Sequence, residues 1–214
     1  GRVTELNTVP CGWFDEFGSQ SDFAADVEDF TSKNKDFMDK RVALLEKQHT
    51  DDKAIRKARL ISVPSNVFTL DEVHDELAGL YISEAHKLHL QHSSNEPITG
   101  KQVSVGLIRM ANIEPLVAVA QKMISGNVPE DTRIHLCVYH SQHPMIVRSE
   151  IEATLDAVLS RHDENAIWQQ ASIRGALDSH PEKHHLFIVL GSPVTEVGRD
   201  HDYDWAIAEP SSMR

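Results

Sequence analysis

Cysteine and long apolar runs are nearly absent from this chain. Its two cysteines, Cys11 and Cys137, lie far apart and form no CxxC pair. That excludes a disulfide framework and fits a reducing compartment. No apolar run reaches the roughly 18 residues that a membrane-spanning helix needs, and no signal peptide is recognisable. We therefore expect a soluble, cytoplasmic protein.

Positive charge is also scarce. The 214 residues include 33 Asp and Glu against 21 Lys and Arg, which gives a net charge of -12. Proteins that bind nucleic acid mainly by electrostatics usually carry a basic face. The balance argues against a free-standing DNA-binding protein. It does not exclude one half of a cleft that contacts DNA through backbone amides and a few arginines.

The phosphate-binding loop of ATPases is missing. The chain contains no GxxxxGK[ST] motif, and no DExH sequence follows a strand-like run. ATP hydrolysis requires amides that cradle the phosphates and a carboxylate that holds Mg²⁺. The 214-residue chain alone is therefore predicted to be inactive as an ATPase.

Apolar segments alternate in a strand and helix pattern over residues 65–214. The run Leu186–Leu190 is too short for a buried helix and is bounded by Pro181 and Gly191, which is typical of a strand covered on both faces. Strands are predicted at 103–108, 134–139, 186–190 and 205–208, and helices at 70–91, 113–125, 147–161 and 165–178. With right-handed crossovers this order makes an α/β fold with a parallel sheet.

Residues 1–64 have a different character and are predicted to form an interdomain arm or helical linker. The first 18 residues contain an apolar stretch that suits a strand or a docking arm. Ser21 and Asp22 are candidate helix caps. One or two amphipathic helices are predicted from Asp22 to about Lys57, because scattered apolar residues interrupt a charged sequence.

The helix predicted at 70–91 begins with a capping box, Thr69 and Glu72. It carries four histidines that invite comparison with a metal site: His74, His86, His89 and His92. No carboxylate or cysteine stands at the spacing that a closed site needs. We expect these histidines to be solvated.

A polar loop follows the strand at 186–190. Ligands of open α/β sheets bind outside the carboxyl ends of the strands. The loop is rich in hydroxyl and carboxylate side chains, namely Ser192, Thr195, Glu196, Asp200, Asp202 and Asp204. Composition alone leaves two interpretations open, a ligand site and a simple turn or helix-cap cluster.

The spacing within this loop resembles a known motif. The segment Ser192-Pro-Val-Thr-Glu196-Val-Gly198-Arg-Asp200-His-Asp202 is similar to motif V of superfamily 2 helicases, in the form found in the helicase–nucleases of subtype I-F CRISPR systems. The segment 206–214 resembles the approach to motif VI, which is expected just beyond Arg214. The resemblance covers roughly residues 60–214.

This resemblance implies a fold and a set of site residues. It implies a second RecA-like helicase domain over 65–214, with a parallel sheet flanked by helices and an N-terminal helical arm. The resemblance assigns ATP binding and coupling to Glu196, Gly198 and Asp200. It assigns DNA binding to Arg109, Asn112, His140, Arg148 and Ser192. No catalytic set is complete within this piece, and no metal ligand is implied.

The resemblance also implies an activity and partners. Proteins of this family are ATP-dependent single-stranded DNA translocases coupled to a nuclease that degrades invader DNA. ATP and Mg²⁺ would be shared with a first RecA-like domain outside this chain, and the nuclease metal ions would belong to a separate HD domain. The implied partners are single-stranded DNA, those two domains, an RNA-guided surveillance complex and the adaptation integrase, with no membrane.

Two other classes of protein stay open on the residues alone. One is a non-catalytic α/β binding module. The other is a metal-dependent HD phosphohydrolase, suggested by the pairs His74-Asp75, His162-Asp163 and His201-Asp202. His140 likewise has a second interpretation, as a buried, hydrogen-bonded histidine of the fold.

Overall fold

The fold is taken from a computed structural model that describes residues 8–15, 17–50, 58–63, 69–160, 165–196 and 201–212. The chain divides into two compact units, Gly1–Ile61 and Ser62–Arg214. The assignment of 1–64 as an interdomain arm stays a prediction.

The first unit is a hairpin followed by one long helix. Strands β1 (Val9–Asp15) and β2 (Gly18–Ala24) pair in antiparallel fashion, and α1 spans Val27–Thr50. The prediction of a helix from Ser21 and Asp22 is wrong, because both residues lie in β2. Gly18 has a φ of 127°, which lets the chain reverse straight after Asp15.

An aromatic cluster holds this unit together. Trp13 on β1 stacks on Phe30 and Phe37 of α1, with ring centroids 6.0 Å and 5.7 Å apart. Its indole N–H donates to Asn34 Oδ1 over 2.9 Å. The Arg41 guanidinium lies 4.6 Å from the Phe37 ring centroid. The predicted helix is confirmed over Val27–Thr50, but its apolar side is only partly buried, since Val27, Met38 and Leu45 are at least half exposed.

The second unit alternates strands and helices. Its helices are α2 (Leu70–His92), α3 (Ile113–Ser125), α4 (Met145–Leu159), α5 (Ala166–Gln169) and α6 (Ala171–Ser179). Its strands are β3 (Ser94–Asn95), β4 (Gln102–Arg109), β5 (Thr132–Tyr139), β6 (His184–Gly191) and β7 (Trp205–Ala208). Short 3₁₀ turns occupy Pro193–Glu196 and Pro210–Ser212.

The four predicted strands and the helices at 70–91, 113–125 and 147–161 are confirmed within a few residues. The single helix predicted at 165–178 is wrong in one respect. Gln170 has extended torsion angles (φ -67°, ψ 125°) and splits it into α5 and α6. The short antiparallel strand β3 has no apolar pattern and was not predicted.

The sheet is mainly parallel. Its strand order is β3-β4-β6-β5, and β7 pairs with β4 on the same side of β4 as β3 does. Strands β4, β5, β6 and β7 run parallel, whereas β3 is antiparallel. The chain crosses from β4 to β5 and then back to β6. Right-handed crossovers in opposite directions place their helices on opposite faces of the sheet.

Helices cover both faces of the sheet, so its central strands are buried. One face packs a core of β4, β5 and β6 residues against α4, α5 and α6, with Leu107, Val189, Leu159 and Leu177 among its members. Helices α2 and α3 cover the other face. This confirms the α/β class and a RecA-like layering of a parallel sheet flanked by helices.

The α2 histidines differ from the prediction. The capping box of Thr69 and Glu72 is confirmed, but the solvated state is wrong for His74 and His89, which are 8% and 0% exposed. His89 faces the sheet, where its Nδ1 lies 2.8 Å from Ser104 Oγ. Some polar residues lie on the buried face of a helix together with the apolar ones, and the sequence alone does not show which residues these are.

Some features are not found in the part of the chain that the structure describes. No helix there is long and apolar enough to cross a membrane. No group of three His, Cys, Asp or Glu side chains is placed there to hold a metal ion. Both cysteines are free thiols.

Candidate nucleic-acid interface

The carboxyl ends of four neighbouring strands form one edge. Arg109 of β4 is in register with Gly191 of β6 and with Ala208 of β7. Gly191 is in turn in register with Tyr139 of β5. Adjacent strands lie about 4.8 Å apart. The residues that follow these strands therefore stand in one row, which we call the carboxyl edge.

Backbone hydrogen bonds continue past the strand ends and fix this row. Met110 N donates to Gly191 O over 2.9 Å, and Ser192 N donates to Tyr139 O over 3.1 Å. Three residues implied in DNA binding, Arg109, His140 and Ser192, therefore lie on or directly after three adjacent strands.

Ser192 opens a tight turn. Thr195 N and Thr195 Oγ1 both donate to Ser192 O, over 3.1 Å and 3.0 Å. Only 5% of Ser192 and 1% of Thr195 is exposed. A Cβ added at Gly191 would lie 2.2 Å from Thr195 Cγ2, so the turn packs directly on the end of β6.

His140 is buried, in agreement with its interpretation as a buried histidine of the fold, but its ring is not fully hydrogen-bonded. It is 8% exposed, and its Nδ1 has no partner among the described residues. Its ring stacks on His143 at a centroid distance of 3.9 Å. Burial first, and then the neighbouring His143, lower the pKa of His140. The lowered pKa favours the neutral form at pH 7, and one ring nitrogen has no partner among the residues that the structure describes.

His143 is held from the other side. Its Nε2 lies 3.0 Å from the carbonyl oxygen of Val138. A carbonyl accepts, so Nε2 carries the proton and His143 is fixed against the end of β5.

Arg148 lies on the first turns of α4, beside the same strand end. Its Nη2 is 3.6 Å from Glu152 Oε1. The hydroxyl of the buried Tyr139 donates to the same carboxylate oxygen. Burial, and then this hydrogen bond, raise the pKa of Tyr139. Glu152 thus ties the base of α4 to β5, and Arg148 is a half-exposed cation that shares this carboxylate.

Asn112 is exposed at the start of α3. It occupies the N-cap position, but its side chain makes no cap hydrogen bond. Helix N-termini carry unpaired amides and a partial positive charge, which favour anions such as phosphate. Asn112 and the half-buried Arg109, the last residue of β4, stand at the two ends of the short loop between β4 and α3.

The residues implied in ATP coupling are mostly beyond the described part. Gly198 and Asp200 lie outside the described residues. Glu196 is described only in its backbone, at the end of the 3₁₀ turn after Ser192. Their implied roles stay predictions.

Sequence reasoning assigned no role to two residues at the carboxyl edge: Thr195, named there only as one polar residue of the loop, and Glu209. Thr195 anchors the turn after β6, and Glu209 binds the loop after β4 through Ala111 N at 2.9 Å. The only signal for Thr195 was its place inside the motif. Glu209 had no signal, because its contact joins positions 98 residues apart in the chain.

A mainly parallel sheet flanked by helices, with a polar carboxyl edge, is consistent with a RecA-like domain. Residues 102–214 match the family model for the C-terminal part of the CRISPR-associated nuclease/helicase Cas3. The chain is 47% identical over 211 residues to the CRISPR-associated nuclease/helicase Cas3 subtype I-F/YPEST of Pectobacterium atrosepticum. It is 43% identical over 219 residues to the protein of the same description in Pseudomonas aeruginosa.

The chain belongs to the Cas3 family of CRISPR-associated nuclease/helicases. The two alignments cover 99% and 100% of this chain, but 19% of each relative. It therefore corresponds to about a fifth of the length of those proteins.

Proposed function

We propose that this chain is part of an ATP-dependent single-stranded DNA translocase coupled to a nuclease that degrades invader DNA in CRISPR interference. It supplies motifs IV and V, which contact the strand and close the nucleotide cleft. The observation that carries the proposal is the single row of Arg109, Ser192 and His140 at the carboxyl edge.

Each member of the row suits a phosphate or sugar contact. Arg109 and Arg148 are the cations, and arginine binds phosphate by charge-assisted hydrogen bonds. Asn112 adds an exposed amide beside the N-terminus of α3. Ser192 has a small exposed area, so we assign it one hydrogen bond to a phosphate oxygen. Such contacts hold a strand without reading its sequence.

His140 differs from the others because it is neutral and buried. Its Nδ1, for which the described part of the chain offers no partner, accepts or donates one hydrogen bond according to its tautomer. In this proposal it orients a sugar or phosphate group at the edge of the row. It adds no positive charge at neutral pH, since its pKa is lowered.

The coupling role falls to Glu196, Gly198 and Asp200. In this proposal they face ATP and Mg²⁺ that are held mainly by a first RecA-like domain elsewhere in the full-length protein. The residues of this chain fit ATP only in part. The chain lacks a phosphate-binding loop, and its tight turn after Ser192 forms only one side of the proposed cleft. Bound ATP supplies the free energy for movement. This chain's residues bind and release the strand as the cleft closes and opens.

The partners follow from the same proposal. They are single-stranded DNA, the first RecA-like and HD nuclease domains of the same protein, an RNA-guided surveillance complex and the adaptation integrase. The nuclease metal ions belong to the HD domain.

The direct test uses the full-length protein with Arg109→Ala. The DNA concentration for half-maximal stimulation of ATP hydrolysis is expected to rise by about tenfold, the usual effect of removing one charge-assisted hydrogen bond. Arg133→Ala is the matched control, since Arg133 is an exposed arginine at the opposite end of β5. Equal behaviour of the two variants would contradict the proposal.

A second test uses the purified 214-residue chain. We expect no ATP turnover with or without DNA, because the phosphate-binding loop is missing from the sequence. Turnover that copurifies with this chain and survives further purification would show that the site is not shared between two domains.

A further inference from the structure

Two carboxylates bracket β7 in the same way. At its start, Asp204 N donates to Val105 O over 2.9 Å, and Val105 N donates to Asp204 Oδ2 over 2.7 Å. At its end, Glu209 N donates to Arg109 O over 2.9 Å, and Ala111 N donates to Glu209 Oε2 over 2.9 Å. Each carboxylate extends the pairing of β7 with β4 beyond the ladder.

The two brackets differ in what they hold. Asp204 binds the middle of β4, a buried strand that pairs with β6 on one side and with β3 and β7 on the other. Glu209 binds a backbone amide in the loop that joins β4 to α3. That amide belongs to Ala111, which lies between Arg109 and Asn112.

Glu209 is itself held in place. The Ser211 hydroxyl donates to Glu209 Oε1, and the Ser212 hydroxyl donates to Glu209 O over 2.6 Å. The side chain is half-buried. Burial first, and then the negative charge of Glu209, raise the pKa of Tyr81 on α2 to about 12. Glu209 therefore joins the end of β7 to the loop after β4 through hydrogen bonds.

We propose that Glu209 is a positioning residue for strand binding, because its carboxylate holds the Ala111 amide and thereby sets the short loop between Arg109, the last residue of β4, and Asn112, the N-cap of α3. This inference rests on the proposed function. Glu209 does not contact DNA in it. Loss of the carboxylate lets the loop sample other conformations, so the productive arrangement of the loop must be selected on binding.

The test compares three substitutions of Glu209 in the full-length protein. Glu209→Gln keeps the length and an oxygen that accepts from Ala111 N, but it removes the charge. Glu209→Asp keeps the charge but shortens the side chain by about 1.5 Å. Glu209→Ala removes both. Asp204→Ala is the matched control, because it deletes the equivalent bond at the other end of β7.

Positioning predicts one pattern. Glu209→Ala and Glu209→Asp raise the DNA concentration for half-maximal ATP hydrolysis by about 2- to 10-fold, the range set by one hydrogen bond. The rate at saturating DNA stays within about twofold, since binding selects the productive loop. Glu209→Gln behaves as the parent protein, and Asp204→Ala leaves the half-saturating DNA concentration unchanged. Hydrogen exchange of the amides at 110–112 rises in the Ala and Asp variants only.

Other patterns overturn the inference. If the Gln variant is impaired and the Asp variant is normal, the charge of Glu209 acts directly. If Glu209→Ala and Asp204→Ala have equal effects, Glu209 only stabilises β7. If Glu209→Ala does not fold, the comparison of the Gln and Asp variants decides.

Failure of the proposed function has a different signature. Arg109→Ala would then leave the half-saturating DNA concentration unchanged. An effect of Arg109→Ala without an effect of Glu209→Ala would instead reject only the positioning role of Glu209 and would leave the proposed function standing.

Discussion

The indole ring of Trp205 lies directly over the α-carbon of Gly106. A Cβ added at Gly106 would be 2.2 Å from Trp205 Cζ2, which is impossible without movement of the ring or the strand. Trp205 is 5% exposed, and its N–H donates to Ser104 Oγ over 3.0 Å. The first residue of β7 is thus locked onto the middle of β4 by shape and by a hydrogen bond.

Gly106→Ala is therefore expected to destabilise the 214-residue chain. Overpacking of a fixed aromatic ring costs about 1–3 kcal/mol, which lowers the midpoint of urea unfolding. Gly79→Ala is the matched control, because Gly79 lies within α2 and its added Cβ would meet no described atom within 4 Å beyond its own stretch of helix. That change should raise stability by up to about 1 kcal/mol, through helix propensity. Similar midpoints for the two variants would show that the Trp205 ring is not fixed.

Gly191→Ala should disturb strand binding through the turn after β6. The new methyl group meets Thr195 Cγ2 at 2.2 Å and Tyr139 O at 3.5 Å. Movement of Thr195 displaces the Ser192 carbonyl that it binds. The expected result is a higher half-saturating DNA concentration for ATP hydrolysis in the full-length protein.

A second substitution tests the cause. Thr195→Ser removes Cγ2 and keeps the hydroxyl that donates to Ser192 O, so it should restore much of the DNA affinity lost in Gly191→Ala. A double variant no better than the single one would mean that the damage does not pass through this contact.

Salt dependence should separate the cationic from the neutral contacts of the carboxyl edge. Binding of single-stranded nucleic acid weakens with salt, with a log–log slope of about -0.7 for each neutralised phosphate. Arg109→Ala is expected to make the slope shallower by about 0.7. Ser192→Ala removes a neutral hydroxyl and should lower the affinity without a change of slope. Fluorescence titrations of labelled DNA at several salt concentrations, with the full-length protein, measure both. An unchanged slope for Arg109→Ala would mean that this side chain neutralises no phosphate.

Acid should weaken the fold through a histidine at the amino end of the sheet. Burial, followed by the charges of His184, His86 and His185, lowers the pKa of His89 to about 4 from an ordinary value of 6.5. The folded pKa lies below the unfolded one, so the stabilisation is complete above pH 6.5 and is lost as the pH falls toward 4. The loss is on the order of 1–3 kcal/mol.

The measurement is urea unfolding of the 214-residue chain between pH 7 and pH 4. His89→Gln should flatten this pH dependence, whereas His92→Gln, which alters an exposed histidine on the same helix, should leave it unchanged. A second buried histidine, His135, has a pKa lowered to about 4 mainly by burial. Part of the pH dependence is therefore expected to remain in His89→Gln. Equal pH profiles for both variants would show that His89 does not carry the effect.

Local pattern was enough to predict much of the second unit. Thr69 and Glu72 marked the start of α2 because the capping box is a contact between near neighbours. The apolar run Leu186–Leu190 marked β6 because a doubly covered strand has no polar side. The order of strands and helices then restricted the topology through right-handed crossovers.

Local pattern failed where a distant partner decides the structure. Ser21 and Asp22 are good helix caps in isolation, yet they lie in β2, because the turn at Gly18 brings this segment back along β1. His89 looks like a surface histidine, but Ser104, fifteen residues away in the chain, offers it a buried partner. The apolar pattern of the sequence predicts neither the strand at Ser21 and Asp22 nor the burial of His89.

The sequence by itself determined the α/β class, the positions of the main strands and the family to which the chain belongs, since each depends on residue order and spacing. Only the tertiary structure decided which side chains meet at the carboxyl edge. The register of β4 with β6 and β7 places Arg109 beside Gly191 and Ala208, and it brings Glu209 to the amide of Ala111. Register is set by how the hydrophobic pattern of whole strands packs against the helices, and no single motif contains that information.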